Sequence, residues 1–111
     1  MTYRIGFASM DGERIDQHFG SARYWQIYDV GQSGVFVETR KTIPRYQGHC
    51  EGGFDHQLAV LGDCRGVFVR KIGESAAAFM ISKGKRVFEA EGEVKEIIRQ
   101  LIEGNLLDEW S

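Results

Sequence analysis

Cysteine is scarce in this chain: Cys50 and Cys64 are the only two among 111 residues. That is too few for the disulfide framework that staples small secreted domains. Neither sign of charge dominates, because 14 basic residues stand against 16 acidic ones for a net charge of −2. A bulk electrostatic drive toward nucleic acid or an anionic membrane is therefore missing, and any anion site has to be local. No stretch approaches the roughly 18 uninterrupted apolar residues of a membrane helix. Met1-Thr2-Tyr3-Arg4 leads into a strand rather than into a long apolar signal region, so a soluble, cytoplasmic protein is expected. There is one proline, Pro44, and no internal repeat, low-complexity tract or linker. What remains is a chain with 42% hydrophobic residues, enough to bury a core as one domain over 1–111.

The elements follow from periodicity. Ile5-Gly6-Phe7-Ala8 is a short apolar run closed by Asp11-Gly12, which reads as a buried strand ending in a turn. Tyr24 to Val30 and Val35 to Thr39 are aromatic and β-branched runs separated by Gly31-Gln32-Ser33-Gly34, a hairpin. Lys41 through Phe54 has no periodicity and reads as the one long irregular stretch; loops of that length tend to be functional or mobile. A short helix is expected from Asp55 through Leu61, then a strand Gly66 to Arg70. A helix opened at Gly73-Glu74-Ser75 and stopped at Gly84 precedes a strand Arg86 to Glu89. The clearest periodicity is Val94, Ile97, Ile98, Leu101 and Ile102, one face of a helix over 92–104. A hairpin followed by alternating strands and helices implies a mixed α/β sheet covered by helices.

The candidate chemistry starts at His18, which stands beside Phe19 and Gly20 just past the first strand. Ligands in open α/β sheets are held in that region, and imidazole can ligate a metal, carry a proton or hydrogen-bond an anion. The bland reading is that His18 caps a turn or fills a gap beside Phe19. His18, His49, Cys50, His56 and Cys64 are every imidazole and thiol present, and their spacing matches no zinc pattern. Cys64, just before an apolar strand, reads as a small buried residue. His56 reads as an ordinary surface residue on the first turn of a helix, with a ligand role left open. His49 and Cys50 lie among Gly48, Gly52 and Gly53, a loop free to close over a ligand, near Arg40, Lys41 and Arg45. Gly73 reads foremost as a glycine required by a tight turn, although the helix start behind it could receive an anion with help from Arg70 and Lys71. Catalysis finds little support. Cys50 has no recognisable orienting partner for nucleophilic work. The first strand carries no inward carboxylate, and Asp11, Asp16 and Asp29 look like turn and edge residues, which argues against two-metal nuclease chemistry.

The series Arg4-Ile5-Gly6-Phe7-Ala8-Ser9, Asp11-Gly12, His18-Phe19-Gly20 and Tyr28 resembles the start of the NifX, NifY and NifB C-terminal family of dinitrogenase iron-molybdenum cofactor biosynthesis proteins. The likeness runs on through the strand-helix-strand unit from Cys64 to Phe88. It implies a ribonuclease H-like three-layer α/β fold, with a mixed five-stranded sheet and helices on both faces. It also implies a protein without enzymatic activity that binds or carries an iron-sulfur or iron-molybdenum-type cluster, or its precursor. The histidine of the His-Phe-Gly motif is the family's cofactor contact, which carries over to His18; together with the loop read above, the candidate cofactor-binding set is His18, Phe19, Gly20, Arg45, His49 and Cys50, with His18 and Cys50 as candidate metal contacts. Metallocofactor assembly proteins are the implied partners, without nucleic acid or membrane, and a homodimer is left open. The rival reading is an interaction or regulatory module that uses an exposed aromatic hairpin and a Leu106-Leu107-Trp110 tail; a small hydrolase or transferase in the same cleft ranks last.

Overall fold

The computed structural model describes residues 2–42 and 55–110. Strand β1 (Tyr3–Ala8) leads through β2 (Arg14–Ile15) and a 3-10 turn (Phe19–Ser21) to the hairpin β3 (Tyr24–Val30) and β4 (Gly34–Lys41). Then come α1 (Asp55–Val60), β5 (Gly66–Val69), α2 (Glu74–Ser82), β6 (Arg86–Glu89), β7 (Gly92–Glu93), α3 (Val94–Glu103) and a closing 3-10 turn (Leu106–Trp110). The main sheet has five strands in the order β4-β3-β1-β5-β6. Its β4, β3 and β1 run antiparallel, whereas β1, β5 and β6 run parallel. The expected mixed sheet is thus present, strand for strand.

Side chains alternate across each strand, so the sheet buries both faces. On one face Ala8, Trp25, Ile27, Val67 and Val69 pack with Leu61, Ala76 and Met80, and Leu58 joins them from α1. On the other, Ile5, Phe7, Val30 and Phe68 pack with Val94, Ile98, Leu101, Leu107 and Trp110. Helices therefore cover both faces, α1 and α2 on one and α3 on the other. An aromatic row crosses all five strands on the α3 side. Phe36 meets Tyr28 edge-on at 5.4 Å, Tyr28 meets Phe7 at 5.6 Å, Phe7 stacks on Phe68 at 5.3 Å, and Phe68 stacks on Phe88 at 4.9 Å. The matched register Phe7↔Phe68↔Phe88 produces the stacked half. Trp110 ends the row, stacked on Phe88 at 5.5 Å with the ring planes nearly parallel. A Cβ on Gly66 would lie 2.8 Å from the Trp110 ring, so only glycine lets the indole lie flat on β5.

Several expectations change here. The Leu106-Leu107-Trp110 tail is not an exposed partner surface: Leu107 and Trp110 are buried on the protein's own sheet and only Leu106 is exposed. The hairpin does expose Val35, Phe36 and Val37, whereas its Trp25 and Ile27 are fully buried. The last helix starts at Val94 rather than at 92, because Gly92 and Glu93 form β7 against β2. Asp29 is no plain edge carboxylate. It receives both Arg4 Nε at 2.8 Å and Nη2 at 3.0 Å, while Arg4 Nη1 and the Arg40 guanidinium share Asp63. The two guanidiniums hold the Asp63 carboxyl well below the usual carboxylate range. Of the stretch expected to be irregular, Lys41 and Thr42 are ordered against the sheet, and residues 43–54 lie outside the described residues. β4 includes Lys41, and Thr42 is buried, donating its backbone N–H to Arg23 O at 2.7 Å and its hydroxyl to Ala22 O.

Candidate functional site

The chain between β1 and β3 is shaped by short polar side chains. Asp11 Oδ1 accepts the amides of Glu13 at 2.8 Å and Arg14 at 3.2 Å, which closes the expected turn and lowers the Asp11 pKa. Gly12 supplies the left-handed conformation at φ 82°. From there burial alternates residue by residue: Ile15, Gln17 and Phe19 point into the protein, and Asp16, His18 and Gly20 point out. The period of two is that of a strand. This segment indeed runs beside the end of β5, with Arg70 N–H donating to Gln17 O at 2.9 Å and Phe19 N–H to Lys71 O at 2.8 Å. A parallel bridge pairs His18 with Lys71.

Two buried glutamines lock the turn that follows. Gln17 Oε1 accepts Arg23 N–H at 2.8 Å, and its Nε2 donates to Tyr24 O at 3.2 Å. Gln57, fully buried on α1, donates Nε2 to Phe19 O at 2.9 Å and accepts Trp25 Nε1–H at 2.9 Å. Phe19 inserts beside Trp25 with ring centres 6.0 Å apart. His18 is consequently an exposed imidazole on a clamped backbone. It neither caps a turn with its side chain nor fills a gap beside Phe19.

His18, Gly20, Ser21, Lys71, Ile72, Gly73 and Glu89 line a groove of about 740 Å³. Its walls are the segments after β1, β5 and β6, the carboxyl ends of the three parallel strands. The chain after β1 crosses over to pair with β7 and with Lys71 before it returns to β3, so the groove lies outside the carboxyl ends of the parallel strands, where open α/β sheets hold ligands. A Cβ built on Gly20 or on Gly73 meets nothing within 4 Å. Gly73 has φ −74°, so its role is not the strained turn expected from the sequence. Both glycines instead leave open space beside His18. Gly73 also precedes α2 as its N-cap residue, without a side-chain cap, so that helix begins at the edge of the groove.

The remaining candidates separate. Arg40 is committed to Asp63, Glu38 and Val60 O, and Arg70 to Glu91; among the described residues Lys71 is the Lys or Arg lining the groove. Cys64 is buried, as expected, and burial pushes its thiol from about 9 up to about 12. His56 departs from the surface reading: both its ring nitrogens are buried without a hydrogen-bond partner among the described residues. Arg45, His49 and Cys50 lie outside the described residues. Within the described residues no three His, Cys, Asp or Glu side chains gather into a metal cluster, and no helix is long and apolar enough to cross a membrane. Sequence reasoning missed Gln17, Gln57 and Glu89. Gln17 was readable from the Ile15-Gln17-Phe19 alternation, and Gln57 from its place just before the apolar Leu58; nothing local marks Glu89.

The raised Cys64 pKa makes a direct expectation. A neutral thiol favoured by burial contributes stability that is fully present below about pH 9 and lost as pH rises toward 12. In a Cys50→Ser background, alkylation of the folded protein at about pH 8.5 should be far slower than in denaturant. Equal rates would show that Cys64 is accessible.

Together these features define a three-layer α/β domain with a histidine-bearing groove at the ends of its parallel strands. The sequence model of the family described as dinitrogenase iron-molybdenum cofactor matches residues 1–104, and the chain belongs to that family. It is 33% identical over 91 residues to the FeMo cofactor biosynthesis protein NifB of Bradyrhizobium diazoefficiens, covering 76% of this chain and 17% of that protein. It is 34% identical over 87 residues to Protein NifX of Rhodobacter capsulatus, covering 73% of this chain and 55% of the relative. The chain thus spans about a sixth of that NifB and about half of that NifX. The solved structure of PH0822 superposes with a TM-score of 0.70 at 23% identity, covering 91% of both chains, which supports the fold.

Proposed function

We propose that this domain binds and hands on an iron-sulfur or iron-molybdenum-type cluster, or a precursor of one, in the groove at His18. The reading follows the family's part in cofactor biosynthesis, and one observation carries it: an exposed imidazole on a doubly clamped backbone, flanked by two glycines that leave room for a bulky guest. Iron in such clusters accepts imidazole as well as thiolate. A single strong contact from the described residues suits a carrier, which must bind and release. Phe19 and Gly20 act through shape, one as the anchor of the turn and the other as open space. On sequence grounds the proposal extends to Arg45, His49 and Cys50, with Cys50 as a second metal contact. The domain acts without catalysis, as a single cytoplasmic unit over residues 1–111, and exchanges its cargo with metallocofactor assembly proteins. The strand order and the helices on both faces support a ribonuclease H-like classification, and self-association as a homodimer belongs to the same proposal.

Anaerobic titration with a synthetic thiolate-ligated [4Fe–4S] cluster, followed by visible absorption, tests it. Loss of one ligand from a site with few should lower affinity on the order of tenfold or more for His18→Ala. Cys50→Ala should fall between that variant and His56→Ala or Cys64→Ala, which should bind nearly as the parent does. Equal binding by all of them would remove His18 from the site.

The exposed Val35, Phe36 and Val37 of edge strand β4 favour a second reading, an interaction module. It becomes the better account if no variant binds the cluster.

A further inference from the structure

The groove is not simply basic. Glu89 lines it together with His18 and Lys71, and the Glu89 carboxylate is held in place because Oε2 accepts Ile72 N–H at 3.0 Å. That bond fastens the end of β6 to the turn after β5. Ile72 adjoins Lys71, whose carbonyl in turn accepts Phe19 N–H at 2.8 Å. Glu89, the Lys71-Ile72 turn and the His18 segment therefore form one connected rim. Arg70, next to Lys71 in sequence, pairs with Glu91 at 2.8 Å, and among the described residues Lys71 is the Lys or Arg that lines the groove. One ammonium and one carboxylate thus face the same space, and their charges roughly cancel for any ligand seated between them.

We propose that Glu89 is a release-setting residue: its fixed carboxylate opposes the negative charge of a cluster held on His18, and so keeps the site from binding its cargo too tightly to pass on. This rests on the reading of the groove as a cluster site. Thiolate- and sulfide-rich clusters carry net negative charge, so the carboxylate is repulsive and Lys71 attractive. With the pair intact, affinity comes from the metal-imidazole contact and not from the field of the groove. Such a site favours transfer to an acceptor offering more ligands. Glu89 is exposed, so its influence passes through water and is screened by salt.

Glu89→Gln separates charge from structure, because the amide oxygen still accepts the Ile72 N–H. The probe is the dianionic, thiolate-ligated synthetic [4Fe–4S] cluster, from which the His18 imidazole displaces one thiolate into solution so that a monoanionic cluster stays bound; this variant should bind it about three- to tenfold more tightly than the parent at low ionic strength. The gain should lie mostly in slower transfer to a thiol-rich acceptor peptide. It should shrink toward unity near 1 M salt, where the screening length falls to about 3 Å. Thermal unfolding should stay that of the parent. Binding unchanged by the substitution, or a gain indifferent to salt, would overturn the proposal, and weaker binding would make Glu89 a ligand instead. Failure of the underlying reading looks different: neither the parent nor the His18→Ala variant would then bind the cluster differently from Glu89→Gln, because none would bind it at all.

Discussion

Ile98→Asp should abolish cooperative unfolding of this protein at room temperature. Ile98 is 7% exposed, in the centre of the α3 face, and the helix approaches the hairpin so closely that a Cβ on Gly34 would lie 2.6 Å from Ile98 Cγ2. A carboxylate placed there has no cation to meet among its packing neighbours Ile5, Phe7, Val30, Phe68 and Leu101. Burying it unpaired costs several kcal/mol, and the lost isoleucine packing adds roughly 2–5 kcal/mol. The sum rivals the roughly 5–15 kcal/mol that holds a domain of this kind together. Circular dichroism and calorimetry check it, and a melting transition like that of the parent would mean that α3 does not pack by this face.

Gln57→Leu should produce the second large effect, and it joins stability to the site. The leucine keeps the volume but strands the buried Trp25 indole N–H, which donates to Gln57 at 2.9 Å, and removes the 2.9 Å bond from Gln57 to the Phe19 carbonyl, which keeps its longer bond from Ala22 N–H at 3.5 Å. A buried donor left without a partner costs about 1–3 kcal/mol and a lost hydrogen bond about 1 kcal/mol, so a loss of roughly 2–4 kcal/mol is expected. Because one of those partners is the first residue of the turn behind His18, amide exchange in 18–22 should accelerate beyond what the global loss explains. Uniform acceleration across the sheet would show that Gln57 serves the core alone. Gln57→Glu gives the complementary control, since it retains an acceptor for the indole but no donor for the carbonyl.

Most of the fold was legible because it rests on periodicities that sequence displays directly. Strands with apolar runs, such as Gly66–Val69 and Arg86–Glu89, and the amphipathic α3 fall where their patterns place them. Long-range pairing was not legible. The two-residue ladder of Arg14–Ile15 with Gly92–Glu93 has no local pattern to announce it, and neither does the sharing of Asp63 between Arg4 and Arg40. The C-terminal turn misled for a related reason. Leu106, Leu107 and Trp110 look like an exposed apolar patch until the sheet face beneath them, opened by Gly66, is known.

The groove proposed as the site was legible in part. His18 was marked by its place after the first strand, and the alternation Ile15, Gln17, Phe19 could have fixed its outward direction from sequence. The groove's other walls come from segments about 50 and 70 residues further on, and only the parallel arrangement of β1, β5 and β6 brings them to His18. Glu89 belongs to that class. A glutamate closing a strand carries no signal by itself; its meaning comes from the Ile72 amide it holds and the imidazole across from it.

The central claim is that His18 holds metal. Pulsed electron paramagnetic resonance on the reduced, cluster-loaded protein, with histidine isotopically labelled at nitrogen, tests it most directly. An imidazole nitrogen coupled to the cluster spin should appear in the parent and in His56→Ala, and vanish in His18→Ala. A nitrogen coupling that survives in His18→Ala, or a loaded parent without one, would contradict the account.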